Sequence, residues 1–89
     1  MNEFAETYYQ RASHLAEISR WQESIKEAGM CLAIEPSHYQ ALCTISRAYY
    51  HLGEMEKALE FAGKAIETDP AQEWAYRLQS AVYSKKNKK

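Results

Sequence analysis

The chain has 89 residues, 46% of them apolar and 26% charged, with two cysteines and a formal net charge of −1. That length holds one small domain, two cysteines do not make the disulfide framework of a secreted domain, and no apolar run approaches the roughly 18 residues of a membrane span. The charge is unevenly placed: Lys85, Lys86, Lys88 and Lys89 close the chain, and residues 1–84 hold seven Lys and Arg against twelve acids, so the body is acidic and argues against nonspecific nucleic-acid binding. The first residues, Met1-Asn2-Glu3-Phe4, lack the basic and apolar regions of a signal peptide, so a reduced, cytoplasmic setting is expected.

In chain order, Tyr8, Ala12 and Leu15 make one helical stripe and predict a first helix from about Ala5 to Ile18. Ser19 breaks the pattern, and Gln22 stands three residues on, which is the spacing of a capping box for the next helix. That second helix is expected over Arg20–Ile34, with Trp21, Ile25, Ala28 and Leu32 as its buried stripe and Pro36 as its stop. Ser37 and Gln40 repeat the capping spacing, so a third helix starts near His38 and runs through Leu42, Ile45 and Tyr49 to about Leu52. Gly53 follows as a left-handed residue past a helix end. A fourth helix runs from near Met55 to about Thr68, with Glu54 and Glu56 at its positive end. Asp69 and Pro70 are expected to close it and to open a fifth helix over Ala71–Lys85, Asp as cap and Pro in the first turn.

The chain repeats with a shift of 34 residues: Ala28, Gly29 and Pro36 meet Ala62, Gly63 and Pro70, while Ala12 meets Ser46 and then Ser80. Small residues stand in pairs, Ala12 with Ser24 and Ser46 with Ala58, where two helices joined by a short turn would cross closely. The period, the small residues and the two prolines resemble the tetratricopeptide repeat (TPR) family. The resemblance covers about two and a half repeats, 5–38, 39–72 and a half repeat or cap helix 73–85, with 86–89 as a basic tail. Repeat one departs from the family at Arg11, Ser19 and Ser24. The resemblance implies an all-α fold of helical-hairpin repeats, an α-solenoid with five helices in a short right-handed superhelix.

The resemblance also implies that the first helix of each hairpin lines a concave groove that takes a peptide or helix of a partner protein. Carried over by position, the groove would be lined by Glu6, Tyr9, Ser13 and Glu17, by Gln40, Cys43, Arg47, Tyr50 and His51, and by Trp74, Arg77 and Ala81. These are also the positions left once the core stripes are assigned, and Tyr, Trp and Arg are enriched at interface anchors. The carboxylate clamp of chaperone-binding members maps onto Tyr9, Ser13, Thr44, Trp74 and Leu78, none of which is a clamp residue, so an acidic C-terminal tail of that type is not the expected ligand.

No catalytic residue, cofactor or metal is expected. His14, His38 and His51 are far apart, no His-x3-His or Cys-x2-Cys spacing exists, and there is no glycine-rich phosphate loop. The expected function is a noncatalytic protein-interaction scaffold with a protein or peptide partner and without nucleic acid or membrane. The lysine tail complements a helix C-terminus and aids solubility. The alternatives are a self-association module or a piece of a longer repeat array that serves an attached enzyme. Tyr76, Ser80 and Tyr83 would be covered by a sixth helix in a complete third repeat, which makes them the candidates for a weak homodimer.

Overall fold

A computed structural model describes residues 2–87. It is all-helical: α1 (Glu3–Glu17), α2 (Trp21–Ile34), α3 (Tyr39–His51), α4 (Met55–Thr68) and α5 (Glu73–Asn87). Lys88 and Lys89 of the expected tail lie outside the described residues. Adjacent helices pack in series, α1 on α2, α2 on α3, α3 on α4 and α4 on α5, in a slab of 42 × 28 × 17 Å.

The two hairpins close at their small residues. Ser24 and Ser46 are fully buried, as are Ala12 and Ala58. The Ser24 hydroxyl donates to the Ala12 carbonyl at 2.7 Å, and the Ser46 hydroxyl donates to the Ala58 carbonyl at 2.7 Å. The four positions are equivalent under the 34-residue shift, yet the donor has changed helix. In the first hairpin the second helix donates; in the second hairpin the first helix does.

Both hairpin turns share one geometry. Arg20 N–H donates to Leu15 O at 2.8 Å and Glu54 N–H to Tyr49 O at 2.9 Å, while Ser19 and Gly53 carry φ of 61° and 83°. This is the Schellman arrangement, which ends a helix on a left-handed residue. The expected capping role of Ser19 is therefore corrected. Ser19 is the turn residue, Arg20 takes the N-cap position, and no side chain caps α2.

Two further caps differ from expectation. His38, not Ser37, caps α3: its Nδ1 accepts from the Ala41 N–H at 3.1 Å. Asp69 and Pro70 do not open α5. They belong to a turn in which Gln72 N–H donates to Asp69 O at 3.2 Å, matching His38 N–H to Glu35 O at 3.1 Å around Pro36. Proline suits the second position of such a turn, so the helix begins only at Glu73. One of the free N–H groups at its start, that of Ala75, donates to the Tyr39 hydroxyl at 2.9 Å.

The core runs through the hairpins and on between them, with Ala5, Ala12, Ala28 and Cys31 in one cluster with Ala41 and Ile45. Ala41 and Ala48 of α3 are buried, and so are their counterparts Ala75 and Val82 in α5. In α1 the same register carries Thr7 and His14, both exposed. Alanine at these contacts lets whole helices approach; the larger partners, Tyr8, Ile25, Leu32, Tyr49 and Phe61, are half-buried around them.

Two outcomes are expected. Ala58→Leu overpacks the α3–α4 crossing and lowers stability by about 1–3 kcal/mol in denaturant melts. Ser19→Gly removes the side-chain penalty of a left-handed residue and raises stability by about 1 kcal/mol in the same assay.

Candidate functional site

The odd-numbered helices form a continuous layer. The backbone of α3 comes close to both α1 and α5, whereas the backbones of α2 and α4 stay farther apart and only their side chains, Leu32 and Phe61, pack against the same core clusters among the described residues. Helices packed more closely on one side than on the other curve the array toward the closer side. The odd helices also run in the same direction, because each pair is separated by an antiparallel helix. Their N-terminal ends make one rim of the layer and their C-terminal ends the other.

The N-terminal rim joins α1 to α3 through His38. Its Nδ1 is occupied as a helix cap, so Nε2 carries the proton and donates to Glu6 Oε2 at 3.2 Å. The Tyr9 ring lies against the imidazole, with centroids 5.1 Å apart. Burial holds the Tyr9 hydroxyl above the ordinary phenol range, opposed by a hydrogen bond with Ser13. Farther along this rim Trp74 sets an edge against Tyr39 at 6.4 Å. Burial also raises the Tyr39 phenol.

The C-terminal rim gathers cations on aromatic faces. The Arg47 guanidinium stands 5.4 Å from the Trp21 ring centroid, and His51 stacks on the same ring at 4.3 Å and 6°. Tyr50 meets His51 edge-on at 5.1 Å and receives the Lys85 ammonium over its ring at 4.6 Å. Among the described residues, neither Arg47 nor Lys85 makes a salt bridge, whereas Arg77 is tied to Glu73 at 3.4 Å and Lys86 to Glu56. Desolvation, with the charges of Arg47 and Lys85, pushes the His51 pKa below its ordinary value.

Most of the sequence-predicted groove residues sit on this layer, but they fall into two rims rather than one row. Gln40, Trp74 and Arg77 are exposed, and Ser13 and Ala81 are half-buried. Cys43 is a correction. It is 0% exposed, packed with Leu42, Ala65 and Ala75, and closed to any partner because α5 lies over it. Burial pushes the thiols of Cys43 and Cys31 up to about 11, so both stay protonated and unreactive at neutral pH. Thr44, at a position compared above with a clamp, is also buried and bonds its own helix at Gln40 O. Trp21 and Lys85 were missed from sequence. Trp21 reads as core of its own hairpin, and contacts between hairpins leave no trace in the period of one helix.

Two open clefts of about 380 and 280 Å³ lie beside the hairpin turns. Leu52 lines both, with Ile25, Tyr49 and Lys57 in the larger and Arg20 and Trp21 in the smaller. None of the predicted groove residues lines either cleft. Among the described residues, no three His, Cys, Asp or Glu side chains are grouped to hold a metal ion, and no helix is long and apolar enough to cross a membrane. No family model and no curated protein sequence matches this chain.

The His51 shift is open to measurement. Imidazole resonances followed by NMR against pH are expected to titrate below the ordinary 6.5. Arg47→Ala is expected to move that titration upward. Because the unfolded chain binds the proton more readily, His51 favours folding fully above about 6.5, and that contribution fades as pH falls toward the folded value.

Proposed function

We propose that the chain is a tetratricopeptide-like scaffold whose odd-helix layer binds an acidic segment, peptide or helix, of a partner protein. The observation that carries this reading is the C-terminal rim. Arg47 and Lys85 are held on the faces of Trp21 and Tyr50 without a carboxylate partner in the described chain. An arginine fixed on an aromatic face has already lost part of its rotamer freedom, so less is lost when a carboxylate docks. Burial is the first cause of the lowered His51 pKa, and the charges of Arg47 and Lys85 add to it. A carboxylate from outside would offset the part that comes from the two charges.

The N-terminal rim supplies a different chemistry. Tyr9 and Trp74 offer aromatic surface, and Glu6 is satisfied by His38. A bound segment would lay its acidic side toward Arg47 and Lys85 and its apolar side toward Tyr9 and Trp74. Arg77, paired with Glu73, has a minor share. Catalysis has no part in this reading.

The test is titration calorimetry with two synthetic helical peptides of equal hydrophobic pattern, one rich in Glu and one rich in Lys. The Glu peptide is expected to bind and to raise the His51 pKa, and Arg47→Ala with Lys85→Ala is expected to weaken it at least tenfold with helicity unchanged. Equal binding of both peptides, or no loss in the double variant, would contradict the proposal.

A further inference from the structure

The two clefts beside the hairpin turns share Gln22 and Leu52, so they form one groove along the turn edge. Leu52 is 37% exposed between them. The larger cleft, of about 380 Å³, has Ile25, Tyr49 and Leu52 as its apolar walls. That volume is at the small end of ligand sites, which suits a side chain rather than a cofactor. The smaller cleft, of about 280 Å³, has Trp21 as its aromatic wall.

The charges around the groove divide by cleft. In the smaller one Arg20 is tied to Glu23 at 3.1 Å. In the larger one Glu54 caps the start of α4 and Lys57 follows three residues on, which makes them neighbours on the helix surface. The Lys57 ammonium lies over the Tyr49 ring at 5.4 Å. Each cleft therefore carries one acid and one base of its own. Arg47 is the charge that remains. Its guanidinium stands 5.4 Å from the Trp21 ring centroid and has no carboxylate partner among the described residues. The same ring thus walls the smaller cleft and holds the unmatched cation.

We propose that this groove takes a large apolar side chain, leucine or phenylalanine, that stands next to the carboxylate docked on Arg47. The inference rests on the peptide reading and names the local chemistry of the partner: an acidic residue adjoining a large apolar one. Charge selects this occupant. Clefts whose acids and bases are already balanced favour an uncharged side chain, and a cation at their edge favours an acid beside it. Trp21 makes the two contacts continuous, so the bound segment passes from the C-terminal rim over the indole to the turn edge. Leu52 covers more of its surface when that segment is in place.

The test is calorimetry on the full chain with two glutamate-rich peptides of equal length and charge. One has a single central leucine and the other has alanine there. The leucine peptide is expected to bind at least about tenfold tighter. In Leu52→Ala, which removes the shared wall, the ratio of the two affinities is expected to fall to near one. Gln22→Trp fills the groove from an exposed position and is expected to do the same, with helical circular dichroism intact. Arg47→Ala is expected to weaken both peptides. Equal binding of the two peptides to the unaltered chain would overturn the inference and leave the acidic-segment reading standing, whereas binding of neither would overturn both. A leucine advantage that survives in Leu52→Ala and in Gln22→Trp would place the apolar contact elsewhere and overturn it as well. So would self-association in sedimentation equilibrium that Gln22→Trp abolishes, because a second copy would then fill the groove.

Discussion

Everything in this chain depends on how closely two helices approach at Ala12 with Ser24 and at Ser46 with Ala58. A residue with no side chain beyond Cβ admits the neighbouring backbone, and a serine facing it turns that proximity into a buried hydrogen bond. A serine hydroxyl left unpaired in such a place would cost about 1–3 kcal/mol. The carbonyl that accepts it already serves its own helix and gains a second donor. The crossing is thus tight and satisfied, and it sets the hairpin angle from which the other contacts follow.

With the hairpins fixed, the alanines at 41, 48 and 75 bring successive odd helices together. The even helices are held apart. That difference produces a layer with two rims, and the rims differ because the helices beneath them run in the same direction. At the N-terminal rim the free N–H groups are met by His38 and by the Tyr39 hydroxyl, so ring side chains are drawn into the cap positions. At the C-terminal rim the carbonyl ends favour positive charge, and Arg47 and Lys85 collect there on Trp21 and Tyr50, with the His51 ring stacked on Trp21. The electrostatic character of the candidate site therefore derives from helix polarity as much as from the choice of side chains.

The helices and their crossings were legible in the sequence because they rest on spacing. Four small residues separated by twelve, two prolines and Gly53 mark the elements to within two residues of most ends. The caps were harder to read. Ser19 with Gln22 and Ser37 with Gln40 both satisfy a capping spacing, yet the first serine is claimed by a left-handed turn and the second is displaced by His38. Only alignment of Ser19 with Gly53 hints at the turn. Cys43 was misread for a related reason. Its position in α3 is outward for an isolated hairpin, and the next hairpin closes it. Trp21 was hidden the other way, as a residue assigned to one hairpin whose ring is covered by another. Interactions between repeats carry no periodic mark of their own.

The account rests on the two buried serine hydroxyls, and NMR observes them directly. In a protonated sample at low temperature, the hydroxyl protons of Ser24 and Ser46 are expected as resolved, slowly exchanging resonances. Each should show cross-helix Overhauser contacts, Ser24 to the residues around Ala12 and Ser46 to those around Ala58. Hydroxyl protons that exchange rapidly with water, without those contacts, would mean that the helices do not cross there and would contradict the layer built on them.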